Sequence, residues 1–220
     1  MITRLKLSSS NAYLIRGERN FLVDSGSQSD WHLLEQLLLK EGFSFKDLAA
    51  VIHTHGHSDH AGCSARLQER FGTPTVIHHA DTVLVSAGRN GQLTPKGFLG
   101  HVAKPFLDKP FPPFRPSLEL IDLSEFSSLG FPGYAIHTPG HTEGSISLVV
   151  GDSVLVGDVA RGGLVGGAAY HLFVEDLTAI RQSIVRLLRT RAGLFYPGHF
   201  SPFTSAQLSR LLPLHDAIVA

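Results

Sequence analysis

The sequence predicts an α/β fold in which two packed β-sheets carry helices on their outer faces. Short apolar runs of strand length, then a stretch with helical periodicity, occur in the first half, and the same order returns in the second. The 220 residues are enough for one well-buried core. Neither an internal repeat nor a linker interrupts them, so residues 1–220 read as a single domain.

The elements follow in order. Ile2–Leu7, Asn11–Arg16 and Phe21–Asp24 read as strands, the last ending in the turn signal "DSGS". Trp31, Leu34, Leu37 and Leu38 recur at helical spacing, which predicts a helix over Ser29–Lys40 with Ser29 as N-cap and Gly42 beyond its end. "LAAVIHT" reads as a buried strand, Ala61–Phe71 as a helix stopped by Gly72, "PTVIHH" as a strand and Asp81–Val85 as a helix. Residues 86–116 lose regularity: "KPFLDKPFPPFRP" alone holds five of the twelve prolines, which predicts an insertion loop or lid. Its Phe98, Phe106, Phe111 and Phe114 suit an apolar pocket wall or, equally, a homodimer interface. Strands resume at Leu118–Asp122, Tyr134–Thr138, Ser145–Val150 and Ser153–Val156, with "VGDS" as a hairpin turn. A glycine-rich loop, "RGGLVGGAAYH", leads to a helix over Glu175–Thr190, a strand in "GLFYPGH" and a short terminal helix.

Formal net charge is zero and no basic run appears, which argues against nucleic acid as a partner. No run of about 18 apolar residues is present, so no membrane span is expected. The opening "MITRLKLSSSNAYLIRG" lacks a continuous apolar stretch of the signal-peptide kind, and a cytoplasmic protein is expected. The lone Cys63 excludes an intramolecular disulfide and reads as a small packed residue.

"HTHGHSDHAG", from His53 to Gly62, crowds four histidines and an aspartate together. His55 and His57 are two apart, so in extended chain they point the same way and can reach one ion; Asp59 and His60 follow a bend and can serve a second. Imidazole and carboxylate suit zinc, iron or manganese. Three later segments add ligand types at strand ends: His141 in "HTPGHTEGS", Asp158 in "VLVGDVA" and His199 in "FYPGHF". Each alone is more often a turn or capping residue; together they make five histidines and two aspartates, a full set for two ions. His53 and His137 read as packed or surface histidines, and His78 and His79 as capping residues.

The run "THGHSDH", then "TPGHT", "GD" and "PGH", resembles the metallo-β-lactamase superfamily from about Asn11 to about His199. The resemblance implies an αββα sandwich of two mixed sheets with metals between the sheet edges. It implies that His55, His57 and His141 bind one ion, that Asp59, His60 and His199 bind another, and that Asp158 bridges them. "FLVDSG" resembles the early strand-end aspartate of the family, so Asp24 would support the ligand loop.

Two divalent ions, zinc first and iron or manganese next, can hold a hydroxide between them as the nucleophile, with Asp59 as a proton carrier to the leaving group. Arg in place of His60 and a later cysteine ligand, the marks of one lactamase type, are absent; so is Glu in place of His57, the mark of the flavin-linked di-iron members. What remains resembles the glyoxalase II-like hydrolases of small esters, thioesters or lactones, without the helical glutathione-binding domain. Arg161 and Tyr170 in the glycine-rich loop are candidates for substrate binding. A persulfide dioxygenase with one iron on His55, His141 and Asp158, a phosphodiesterase of the same fold, and a metal scaffold without turnover are the alternatives.

Overall fold

In the computed structural model, which describes residues 1–121 and 123–213, the N-terminal half builds a six-stranded sheet. Strands β1 (Ile2–Lys6), β2 (Asn11–Ile15) and β3 (Asn20–Val23) form an antiparallel meander in which Leu14 lies opposite Thr3 on one side and Leu22 on the other. β4 (Leu48–Ile52), β5 (Thr75–His78) and β6 (Leu118–Leu120) then add in parallel, so each crossover must leave the sheet and return. The second sheet runs β13 (Phe203–Thr204), β12 (Leu194–Pro197), β9 (Ser153–Gly157), β8 (Ile146–Val150), β7 (Tyr134–His137). Between β9 and β12 a two-stranded ribbon, β10 (Arg161–Gly162) and β11 (Ala168–Ala169), stands apart.

Strand parity sorts the core into layers. Tyr13, Ile15, Phe21, Val23, Ala50 and Ile52 meet Ile146, Leu148 and Leu155 of the other sheet. Their alternates Leu14, Leu22 and Val51 face outward and pack under α1 (Trp31–Lys40) and α3 (Ser64–Phe71) through Trp31, Leu34, Leu38 and Leu67. On the far side Val154, Val156 and Phe195 pack under Ile180, Ile184 and Leu187 of α6 (Leu177–Arg189) and Leu208 of α7 (Ser205–Ser209). The result is the αββα sandwich with mixed sheets.

Several boundaries differ from expectation. A 3-10 turn at Gln28–Asp30 precedes α1, so Asp30, not Ser29, is its N-cap. The helix expected over Ala61–Phe71 is two pieces, α2 (Ser58–Ala61) and α3; Gly62 between them is pressed against the chain, where a Cβ would lie 2.5 Å from Gln28 N. Gly72 ends α3 in the left-handed conformation, φ +65°, as expected. The last residue of the strand expected over Leu118–Asp122, Asp122, lies outside the described residues.

Residues 86–116 are not irregular throughout. After α4 (Thr82–Ala87), an eleven-residue helix, α5 (Gly97–Leu107), occupies the centre of the stretch. Gly97, Gly100 and Pro105 depress its intrinsic propensity, which is why the sequence reads as loop. Phe111 and Phe114 are 5% and 6% exposed and pack on Ala61, Ile77 and Val85 of their own chain, which makes them part of its core. Phe98, by contrast, is open to solvent; the Phe106 side chain lies outside the described residues. Among the described residues no helix is long and apolar enough to cross a membrane.

Candidate metal centre

β7, β9 and β12 run the same way, because β8 is antiparallel to both β7 and β9 while β12 is parallel to β9. Their C-terminal ends therefore share one edge of the sandwich. His141, Asp158 and His199 follow those ends directly, and the loop after β4 carries His53–His60 to the same place. A ligand set scattered over the sequence is thus gathered by strand direction alone.

The gathered side chains form overlapping triads: His55, His57 and His141; His55, His60 and Asp158; Asp59, His60 and His199. Within each, the ligand atoms lie within 4.8 Å of one another. His141 Nε2 is 3.0 Å from His57 Nδ1, and His60 Nε2 is 3.4 Å from His199 Nε2. A tetrahedral ion with bonds of about 2.0–2.1 Å separates its ligands by about 3.3 Å, so these spacings suit shared ions. Asp158 Oδ2 lies centrally, 3.2 Å from His199 Nε2, 3.4 Å from His141 Nε2 and 3.5 Å from His60 Nε2. His55 Nε2 and Asp158 Oδ1 are buried and have no hydrogen-bond partner, the condition of atoms shaped for a cation. Space is also held open: a Cβ on Gly198 would lie 2.3 Å from Asp158 Oδ1 and 2.6 Å from His60 Cε1.

The outer nitrogens are anchored. His60 Nδ1 bonds to Asp24 Oδ2 at 2.9 Å, His199 Nδ1 to the Ser9 carbonyl at 2.7 Å and His141 Nδ1 to the Phe173 carbonyl at 2.8 Å. Each contact leaves the Nε2 lone pair facing the cluster. Asp24, held at φ +59° at the end of β3, also accepts from the N–H and the hydroxyl of Thr54, both at 2.8 Å. One carboxylate therefore fixes both ends of the ligand loop.

Burial, helped by neighbouring imidazoles, pushes His55 and His57 well below the usual histidine range, which keeps them neutral and able to ligate. Burial opposes a proton on His60 and His199 too, but the carboxylates around them win: His60 is raised well above its ordinary value and His199 to about 10, in both cases chiefly by Asp158. Asp158 resists its own burial because four imidazoles, His199 foremost, hold it well below the carboxylate range. In the ion-free chain these protons balance the carboxylates, and cation binding displaces them.

Two residues of the site were not singled out from the sequence. His171, placed by the chain after β11, brings its Nε2 to 3.2 Å from Asp158 Oδ2 and forms a further triad with His141 and Asp158. It sits next to Tyr170 in a stretch with no motif of its own. Asp81, expected only as a helix start, is 1% exposed and accepts from Gly56 N, Gly144 N and Thr142 Oγ1, all at 2.8 Å. It ties the His55–His57 segment to the loop that carries His141. Of the two expected substrate-binding residues, Arg161 lines the adjoining cavity of about 180 Å³. Tyr170 does not: its hydroxyl donates to the Leu211 carbonyl and its ring packs on the α6–α7 core. Cys63 is buried, donates Sγ to the Ser27 carbonyl, and burial pushes its thiol up to about 12, so it is no nucleophile. His78 caps a turn, accepting from Ala80 N, while His53 is packed and fully buried.

An αββα sandwich with clustered histidines and aspartates at one edge defines a class of metal-site proteins, and comparison with known proteins makes the assignment specific. Residues 5–199 match the family model of the metallo-beta-lactamase superfamily. The chain belongs to that superfamily and to its class of metal-dependent hydrolases. It is 34% identical over 200 residues, 87% of each chain, to the probable metallo-hydrolase MJ0888 of Methanocaldococcus jannaschii. It is 30% identical to the probable metallo-hydrolase YflN of Bacillus subtilis, over 83% of this chain and 76% of that one. Among solved structures it is similar to TTHA1623 in a di-iron-bound form, at 29% identity and a TM-score of 0.67, covering 97% of this chain and 98% of the other.

Proposed function

We propose that the protein is a binuclear metal-dependent hydrolase of a small ester, thioester or lactone, of the glyoxalase II-like kind. The observation that carries this reading is the convergence of two ligand sets, His55–His57–His141 and Asp59–His60–His199, on a central Asp158 with buried, unpartnered donor atoms. The second set supports two ions over the single iron of the dioxygenase alternative. When bound, such an ion pair lowers the pKa of water toward neutrality and polarises a carbonyl oxygen. Zinc is the first expectation; the di-iron form of TTHA1623 gives iron equal weight as the native metal.

The chain supplies the rest. Asp59 keeps its carboxylate 25% exposed at the cavity and within 3.3 Å of His199 Nε2, which suits it to take up a proton and return it to the leaving group. Leu93, Leu172, Phe173 and Phe200 wall the cavity with apolar surface. Arg161 is its cation: the guanidinium lies 5.5 Å from the Phe200 ring and is held by the Tyr170 and Gly162 carbonyls, where it faces an anionic part of the substrate. Elemental analysis of purified protein, followed by a panel of thioesters, lactones, phosphodiesters and β-lactams with the native metal restored, tests the proposal. Two metals per chain and turnover of an acyl ester are expected; one iron with oxygen uptake on a persulfide, or bound metal without hydrolysis, overturns it.

A further inference from the structure

His171 Nε2 reaches Asp158 Oδ2 at 3.2 Å, and its ring lies 4.6 Å from His141 and 5.1 Å from His199. The side chain is 10% exposed and lines the cavity beside the cluster. By position alone it could be an eighth ligand.

The backbone of one residue argues otherwise. The Phe173 carbonyl accepts from His141 Nδ1 at 2.8 Å, so the lone pair of His141 Nε2 faces the cluster. The N–H of the same residue donates to His171 Nδ1 at 3.2 Å, so that nitrogen is an acceptor and the proton of the neutral ring sits on Nε2. The two neighbouring imidazoles therefore present opposite atoms, a lone pair from His141 and an N–H from His171. Moving the proton to Nδ1 would free His171 Nε2 to ligate, with the Phe173 carbonyl 3.3 Å away as acceptor. It would also set that proton against the Phe173 N–H, in a residue 4% exposed, and give one carbonyl two donors. The segment cannot easily turn to relieve this, because Leu172 O accepts from Lys96 N at 2.7 Å and Val174 N donates to Thr94 O at 3.1 Å.

We infer that His171 is a hydrogen-bond donor to the acyl oxygen of the substrate and the carboxylate of the product, not a metal ligand. The assignment rests on the hydrolase reading for its substrate, and on geometry alone for the donor itself. A fixed N–H at the cavity wall stabilises charge that develops on that oxygen without reorganising during the reaction.

Cobalt-loaded protein tests this without turnover. The visible spectrum of Co²⁺ reports the ligand set, and titration with acetate, a minimal product carboxylate, reports the donor. His171→Phe keeps the ring shape and removes both nitrogens; His171→Gln returns an N–H near the Nε2 position. We expect both variants to bind the same cobalt equivalents with an unchanged acetate-free spectrum. Acetate affinity should fall roughly 10- to 100-fold in the phenylalanine variant and recover in large part in the glutamine variant. A cobalt equivalent lost, or a changed spectrum, makes His171 a ligand and overturns the inference; unchanged acetate affinity overturns it as well. If the phenylalanine variant does not fold, His171→Ala reads the same two quantities. Intact cobalt and acetate binding with no hydrolysis of any ester refutes the hydrolase reading and leaves the donor assignment standing.

Discussion

His57 Nδ1 faces the ligand cluster, 3.0 Å from His141 Nε2, and Asp158 Oδ1 is buried and unpartnered, so both side chains have a use toward a cation. Replacing either residue by alanine should lower activity by more than about 100-fold while far-UV circular dichroism stays native, since a lost ligand costs at least what a lost supporting partner does. Near-normal turnover in Asp158→Ala would contradict the site. Asp81 holds three donors from two ligand-bearing loops, and Asp81→Ala should weaken metal binding by roughly 10- to 100-fold, read by chelator competition. His53 offers a different test. It is fully buried beside Phe114 with both ring nitrogens unpartnered, and burial lowers its pKa to about 4. Between pH 4 and 6.5 the unfolded chain therefore binds more protons than the folded one at this residue, and stability rises with pH across that window. The contribution is roughly 3 kcal/mol for a shift of that size. His53→Phe should flatten the rise relative to wild type in denaturant titrations at pH 4.5 and 6.5; an identical slope would show that His53 is not buried as a neutral ring.

At the level of elements, glycines decide how close the ligand-bearing loops can come. Gly198 ends the strand that delivers His199, and its missing Cβ is what lets Asp158 and His60 approach. Gly198→Ala should cost roughly 100-fold in activity through displacement of ligands by about 1 Å, with a melting temperature near that of wild type. The helix α5 separates two kinds of aromatic residue that look alike in sequence. Phe114→Ala should destabilise by about 3–5 kcal/mol, since it empties a core position, whereas Phe98→Ala, 81% exposed, should stay within about 0.5 kcal/mol. Equal effects in urea denaturation would contradict the packing of this stretch. Its helix was hidden from the sequence because glycine and proline weigh against helical propensity, and tertiary contacts override that preference. Strand positions fared better, because period-two alternation is a direct record of which face each residue buries. The close approach of Gly62 to Gln28 was not legible, since the two are more than thirty positions apart.

Across the whole molecule the centre joins the two sheets, with ligands from the loop after β4 on one side and from the ends of β7, β9 and β12 on the other. Bound metal should therefore stabilise the sandwich as a unit: chelation should lower the melting temperature and re-addition restore it, by an amount that grows with free metal concentration. Lowering the pH should release the metal, because the imidazoles must give up their protons to ligate; metal retention independent of pH between 5 and 8 would count against a histidine-rich centre. The amino-acid sequence by itself determined the α/β class, the two packed sheets and most of their strands, and it marked the seven candidate ligands, since periodicity and short motifs are local properties that survive in one dimension. Tertiary structure alone decided that His171 and Asp81 belong to the centre and that Tyr170 does not. Each of those outcomes turns on hydrogen bonds between residues distant in sequence or on the direction a loop side chain takes, and neither quantity leaves a trace in local pattern.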